Sequence, residues 1–162
     1  MKNIAFLLVA LVIFSCANSD KDKKIKTVEF TFTKEGQLTL SKASGNDIIT
    51  LDIEFAETPY ERETGLMHRS SMKNNQGMLF IFSEEYPRSF YMKNTLIPLD
   101  IIYIDADKKI VSFQENAKPL DETGLPSKVP AMYVLEVNAG LAQKWLLEIG
   151  DTITFVKDES TL

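Results

Sequence analysis

Apolar and polar positions alternate along most of the chain after residue 28. In residues 48–55 the apolar side chains of Ile49, Leu51, Ile53 and Phe55 alternate with Thr50, Asp52 and Glu54. Successive side chains of a strand point to opposite faces, so this pattern predicts a strand with one buried face. Similar patterns predict strands at residues 28–32, 37–40, 77–82, 89–93, 99–104, 109–114, 132–137 and 152–156.

Two segments carry helix signals. Thr58 is a predicted N-cap, Pro59 the first helical residue and Glu61 the reciprocal partner of a capping box, with the helix running to about Met67. A second helix is predicted after Asn138 as its cap, and Gly150 ends it. Its apolar face is formed by Leu141, Trp145, Leu146 and Ile149.

These elements predict a mainly β (α+β) fold. We expect a compact, strongly bent antiparallel sheet or partly open barrel of about eight to nine short strands, with two helices packed on it. Residues 105–108 are a predicted hairpin turn. Residues 116–130, which contain three prolines and a glycine, are predicted to form a long loop.

The first residues have the pattern of an export signal. Lys2 precedes an unbroken apolar run at residues 4–14, and Ser15-Cys16 follows. The run is too short to span a membrane and is typical of a secretory signal. Residues 13–16 resemble a bacterial lipobox, which implies that residues 1–15 are removed and that Cys16 is lipidated and anchors the chain to a membrane.

The remaining sequence predicts a tether followed by one domain. Residues 16–27 are polar and charged, typical of a disordered linker, and residues 28–162 suffice for a single core. Cys16 is the only cysteine, so no intramolecular disulfide can form. The formal net charge is −5, which argues against a nucleic-acid partner and against adsorption to an anionic membrane by charge.

One cluster of polar residues interrupts the apolar pattern. Lys93, Asn94 and Thr95 lie where a predicted strand ends, and Asp100 follows an X-Pro bend that returns the chain towards them. They are typical of a small recognition site in which Lys93 pairs with an anionic group and Asn94 forms hydrogen bonds. The alternative is structural: Asp100 accepts backbone N–H groups, Asn94 adopts a left-handed turn and Lys93 is a solvated charge.

Other chemistry has weaker signals. His68 is the only histidine, and the methionines around it at positions 67, 72, 78 and 92 do not share a ligand spacing, so we predict no metal and no cofactor. Asp105 and Asp107 lack the glycine and distal glutamate of a calcium loop. No serine lies in a G-x-S-x-G elbow, and no glycine-rich phosphate loop is present.

Six blocks of sequence resemble a known family. They are Thr64-Gly65-Leu66-Met67-His68-Arg69, Gly77-Met78-Leu79-Phe80, Phe90-Tyr91-Met92-Lys93-Asn94-Thr95, Pro98-Leu99-Asp100-Ile101, Leu135-Glu136-Val137 with Ala139-Gly140, and Gly150-Asp151. In order and spacing they resemble domain-of-unknown-function family 192 over about residues 48–157. The resemblance implies a compact β-rich domain and no particular activity. The family often has tryptophan at the position of Tyr91 and glycine at that of Lys108.

Three functions remain open from the sequence. The first is a binding module on a cell-envelope lipoprotein, for a small polar or anionic ligand or an envelope protein; its residues are Arg69, Tyr91, Lys93, Asn94 and Asp100. The second is a non-catalytic scaffold in an envelope complex. The third is a hydrolase or transferase with Asp100 as base and Lys93 or Arg69 stabilising negative charge. No complete catalytic set is present, so we assign no catalytic residue.

Overall fold

The structure, a computed structural model, describes residues 30–159. Within that range the chain forms seven strands and two short helices. In chain order they are β1 (Gly36–Ser41), β2 (Asp47–Ala56), α1 (Pro59–Thr64), β3 (Gln76–Phe90), β4 (Leu99–Ile104), β5 (Ile110–Ala117), β6 (Leu125–Asn138), α2 (Leu141–Lys144) and β7 (Thr152–Lys157). Across residues 30–159, neither helix has the length and apolar character needed to cross a membrane.

The seven strands form one curled sheet in the order β5-β4-β6-β3-β2-β1-β7. Its two edges meet where β5 and β7 begin. The amide of Ile110 donates to the carbonyl of Asp151 at 2.8 Å, and that of Ile153 donates to the carbonyl of Lys108 at 3.0 Å. Because backbone bonds join these edges only at one end, the sheet is a partly open barrel, and the predicted mainly β fold is confirmed.

One strand pair departs from the antiparallel expectation. β2 and β3 are parallel, and the other pairs of the described sheet are antiparallel. A parallel pair needs a long crossover, which residues 57–75 supply with α1. The predicted capping box is confirmed: the Glu61 amide donates to Thr58 Oγ1 at 3.2 Å, and the Thr58 amide donates to Glu61 Oε2 at 2.9 Å.

Helix α1 ends earlier than the sequence predicts. Gly65, at φ 47° and ψ −130°, stops the helix before Met67. A side chain there would be strained, and a Cβ atom would lie 3.0 Å from Cζ of Phe80. Gly65 therefore lets the chain turn closely over the sheet.

Other predicted boundaries are wrong. Residues 30–32 are not in a strand, and the strand predicted at 89–93 ends at Phe90, because β3 is one long strand. Residues 125–130 of the predicted loop belong to β6, where they pair with the C-terminal half of β3. The prolines of that ladder sit beside register shifts, where a missing N–H donor is tolerated.

Helix α2 also differs from its prediction. Its N-cap is Gly140, at φ 82°, and Asn138 instead donates from its side chain to the carbonyl of Met72 at 2.7 Å. The helix ends at Lys144, so the predicted apolar face does not form. Leu146 and Ile149 remain 73% and 70% exposed.

The sheet separates two apolar layers. The inner layer is enclosed by the barrel and draws on all seven strands and α2: Leu38, Leu40, Leu51, Ile53, Phe55, Leu79, Ile102, Ile104, Ile110, Tyr133, Leu135, Val137, Leu141 and Ile153. The outer layer lies on the opposite face of the sheet: Ala56, Leu66, Met78, Phe80, Met92, Ile97, Leu99, Ile101, Tyr103, Ala117, Ala131 and Val134. Leu66, Met92 and Ile97 come from the connecting segments that cover this face. The middle strands are thus buried on both faces, whereas the sequence pattern predicted strands with only one buried face.

Candidate functional site

Asp100 faces the inner layer at one end of the barrel. Its cross-strand partner in β6 is Val137, an inner-layer residue, and its side chain is fully buried. Oδ1 accepts from the amide of Asn116 at 2.9 Å, and Oδ2 accepts from the amide of Ala142 in α2, also at 2.9 Å. Both carboxylate oxygens are therefore engaged in holding β5 and α2 in place, as in the structural alternative.

Arg69 is buried in an ion pair on the other face of the sheet. Its Nη1 lies 2.5 Å from Oε2 of Glu54, and both residues are less than a tenth exposed. Glu54 Oε1 accepts from the amide of Thr33 at 2.9 Å. Arg69 Nε has no hydrogen-bond partner among the described residues. The Arg69 charge is consequently committed to Glu54.

Tyr91, Lys93 and Asn94 lie together on the surface. They line a concave region of about 420 Å³ with residues of α1 and its following turn, which we call the surface groove: Phe30, Tyr60, Glu63, Thr64, Met67, His68, Tyr91, Lys93 and Asn94. Asn94 has the expected left-handed conformation, with φ 58°, and its carbonyl accepts from the His68 amide at 2.8 Å. Lys93 is exposed.

The five residues proposed from the sequence therefore do not form one site. Three of them line the surface groove, Arg69 is buried behind α1, and Asp100 lies in the other layer. The X-Pro bend does return the chain, but strand alternation and the covering helix α2 direct Asp100 into the barrel end.

A second cavity lies beneath α1, next to the surface groove. We call it the helix cavity; its volume is about 250 Å³. The two cavities share Glu63, Thr64, Met67 and Tyr91. The walls of the helix cavity include four aromatic rings, those of Phe80, Phe82, Phe90 and Tyr91, and its polar lining includes Ser89, Thr95 and Glu136.

Glu136 is a buried carboxyl residue of the helix cavity that was not among the residues selected from the sequence. It lies in β6, is 5% exposed and is flanked across the sheet by Met78 and Ile101. Met78 pairs with Glu136 on one side and with Glu54 of β2 on the other. Glu136 and Glu54 therefore lie two strands apart on the outer face of the sheet. Among residues 30–159, no group hydrogen-bonds to the Glu136 carboxyl.

The surroundings of Glu136 favour its protonated form. Burial raises the pKa of this carboxyl to about 8, against the opposing effect of the Arg69 charge. Arg69 does little to restore the ordinary value because Glu54 already neutralises it. An unpartnered, protonated carboxyl in an apolar cavity is both a hydrogen-bond donor and a group that a ligand could ionise.

Two arginines stand near the rim of the helix cavity around Phe82. The Cζ atoms of Arg62 and Arg88 lie 5.3 and 3.9 Å from the Phe82 ring centroid. Arg62 donates to the carbonyls of Glu57 and Ile81. Burial, together with the charge of Arg62, lowers the pKa of Arg88. These guanidinium groups are held by ring faces and backbone carbonyls.

Within residues 30–159, no three His, Cys, Asp or Glu side chains converge as a metal site would require. A signal for Glu136 was nonetheless present in the sequence. It is a lone carboxylate in the apolar run of residues 131–137, one of the blocks that resemble the family. An ionised residue in a strand that is buried on both faces costs free energy unless it is paired. The apolar run around Glu136 could therefore have identified this residue as a candidate.

Known proteins resemble this chain in sequence and fold. A structure from Sinorhizobium meliloti 1021, described as that of a candidate transcription regulator, is 39% identical, covers 78% of this chain and 97% of its own, and has a TM-score of 0.72. A protein of unknown function from Novosphingobium aromaticivorans DSM 12444 is 36% identical, covers 73% of this chain and 83% of its own, and has a TM-score of 0.69. No curated protein matches the chain significantly. The DUF192 family model, described as Uncharacterized ACR, matches residues 39–155, and the chain belongs to that family.

Proposed function

We propose that this domain is a binding module whose ligand enters the helix cavity beneath α1. The observation that carries the proposal is Glu136, a nearly fully buried carboxyl that lines the cavity without a hydrogen-bond partner among the described residues. A buried polar group without a partner costs free energy that a ligand can recover. The stability of the fold gives no reason to place the Glu136 carboxyl in the helix cavity.

The shape of the region supports a small ligand. Aromatic rings supply apolar contact, and a few polar groups can fix orientation, the usual composition of a small-molecule site. Tyr91 is 44% exposed and borders both cavities, so its ring can cover a bound molecule. Lys93 and Asn94 then serve the part of the ligand that extends into the surface groove.

A ligand screen tests the proposal. We expect members of a fragment library to raise the melting temperature of the purified protein and to shift NMR signals of cavity residues such as Phe80 and Phe90. Ser89→Trp should fill the cavity and remove these effects. Ser83→Trp, on the same strand β3 but outside the cavity, is the matched control and should keep them.

Two outcomes would contradict binding in the helix cavity. A library that leaves both the melting temperature and the spectra unchanged would remove the basis for the proposal. Fragments that bind equally to the Ser89→Trp variant would place their site elsewhere. The first outcome would favour the scaffold, the second candidate, which the engagement of Asp100 by backbone amides already supports. We propose no acid–base role for Asp100, because both its oxygens are occupied.

We also propose that the chain is an exported lipoprotein. Cys16, residues 1–15 and residues 16–27 lie outside the described residues, and the proposal rests on the sequence pattern alone. Residues 1–27 lie outside the family match, as expected for a separate targeting segment and tether. The acidic net charge leads us to propose no nucleic-acid partner.

Membrane attachment has a direct test. Cys16→Ser should move the protein from the membrane fraction to the soluble fraction and abolish labelling by a palmitate analogue. Ser19→Ala, in the predicted tether, should leave both unchanged. Retention of the Cys16→Ser protein in washed membranes would show that attachment does not depend on this residue.

A further inference from the structure

We infer that the helix cavity takes a small organic amine whose ammonium group pairs with Glu136 while its apolar part contacts the surrounding aromatic rings. This inference rests on the proposed binding function and adds the chemical class of the ligand. The sequence had favoured a polar or anionic ligand, held by Lys93.

The lining of the cavity suits an amine. Among the described residues the Glu136 carboxylate has no hydrogen-bond or ion-pair partner, and an ammonium ion supplies both the missing positive charge and N–H donors. The rings of Phe80, Phe90 and Tyr91 line the cavity and can supply cation–π and apolar contact. Engineered cavities of about 150 Å³ hold benzene, so the 250 Å³ here can hold an aromatic ring with a short amine arm.

The charged and titratable groups around Glu136 come from α1, the segment after it, β2 and β4. Arg69, from the segment after α1, is paired with Glu54 of β2. Tyr103 of β4 is fully buried and donates its hydroxyl to the carbonyl of Leu125. Burial and the nearby Glu136 raise the Tyr103 pKa, so it remains neutral. On α1, Arg62 and Glu63 stand at the rim with opposite charges.

This arrangement disfavours an anion. The Arg62 guanidinium is engaged with two backbone carbonyls and Phe82, and Arg69 with Glu54. The described residues therefore offer an anionic ligand no uncommitted cation inside the cavity. An ionised Glu136 would repel such a ligand, whereas an amine would be attracted.

Amine binding should release a proton. Free Glu136 is largely protonated at neutral pH, and pairing with an ammonium ion requires the carboxylate. Below about pH 8, affinity for an amine that stays protonated should fall about tenfold per pH unit. A neutral or anionic ligand that accepts a hydrogen bond from the protonated carboxyl would instead keep a constant affinity below about pH 8 and lose affinity above it.

The experiment uses three probes of similar shape and different charge. Binding of 2-phenylethylamine, 2-phenylethanol and phenylacetate to the purified protein is measured by calorimetry from pH 6 to 9, in two buffers of different ionisation enthalpy. We expect the amine to bind at least tenfold more tightly than the others at pH 8. At pH 6.5 its binding should release close to one proton.

Variants assign the effect to the carboxyl. Glu136→Gln should lower amine affinity at least tenfold and remove both the pH trend and the proton release, while 2-phenylethanol affinity changes less than threefold. Glu115→Gln, an exposed position outside the cavity, should behave as the wild type. Preference for phenylacetate or 2-phenylethanol, or an unchanged Glu136→Gln variant, overturns the amine inference but leaves a binding module intact. If none of the probes binds but screened fragments do, only the amine inference fails; if screened fragments also fail, the binding function fails with it.

Discussion

Two buried carboxyl groups, on opposite faces of the same sheet, have opposite surroundings. Asp100 sits at the end of the inner layer and accepts a backbone amide on each oxygen. Glu136 sits in the outer layer, with no hydrogen-bond partner among the described residues and a cavity beside it. Burial alone therefore does not mark a functional residue; the number of its satisfied hydrogen bonds separates a structural carboxyl from a candidate ligand contact.

The two layers also differ in composition. The inner layer packs apolar side chains with Tyr133, and the satisfied Asp100 lies at its end. The outer layer contains the Glu54–Arg69 pair and Glu136, and α1 covers it over a cavity. The residues of the inner layer stabilise the fold. In the outer layer, the cavity and the Glu136 carboxyl without a hydrogen bond reduce that stability at the place where a ligand would bind.

Among the variants that test this comparison of the two layers, Arg69→Met should have the largest effect on stability. The change leaves Glu54 buried without its counter-charge, which should cost about 3–5 kcal/mol of the free energy of unfolding. Urea denaturation at pH 7 measures it. Adding Glu54→Gln should recover most of the loss; an equally unstable double variant would mean that Arg69 stabilises the fold by packing instead.

Asp100→Ala should have the next largest effect. It leaves the amides of Asn116 and Ala142 buried without acceptors, at a cost of about 3 kcal/mol. Hydrogen exchange should quicken at both amides and in α2, while affinity for cavity ligands in the folded protein stays unchanged. Loss of ligand affinity without loss of stability would return Asp100 to the binding site.

The pH dependence of stability should identify Glu136 as the unusual carboxyl. Unfolded, it ionises near its ordinary pKa of 4.5, and folded it stays protonated up to about pH 8. Unfolding in that interval releases its proton, so its contribution to stability is complete below about 4.5 and is lost as pH rises through about 8. Thermal denaturation should show Glu136→Gln gaining stability over the wild type, by up to about 1.4 kcal/mol per pH unit within the interval. Parallel pH curves for the two proteins would disprove the raised pKa.

The smallest predicted effect concerns the helix over the outer layer. Thr58→Ala removes the side-chain acceptor of the capping box and should cost about 1 kcal/mol. Thr58→Ser retains that acceptor and should cost little, as measured by thermal denaturation. If the two variants lose the same stability, the cap hydrogen bond contributes nothing to it.

The local patterns predicted local structure well. Alternation placed the inner-layer residues of β2 on one face, and the capping box placed the start of α1. The boundaries that depend on pairing were wrong: β3 and β6 extend through predicted loops because each supplies hydrogen bonds to the other. The hydrogen bonds between two strands that are distant in the sequence cannot be predicted from the residues of either strand alone.

The candidate site was predicted only in part. Tyr91, Lys93 and Asn94 do lie together, because they are near neighbours in the chain. Arg69 and Asp100 were assigned by residue type, and their partners, Glu54 and the Asn116 and Ala142 amides, lie at least 15 positions away in the sequence. The importance of Glu136 was missed because its strand was expected to have one solvent-facing side.

The sequence by itself determined the mainly β character, the capped first helix, the absence of an intramolecular disulfide and the family to which the chain belongs. These depend on periodicity, composition and short motifs, which are local properties. Only the tertiary structure decided which carboxyl is satisfied and which faces a cavity. Burial and hydrogen-bond partnership depend on segments that meet only when the sheet curls and α1 covers its outer face.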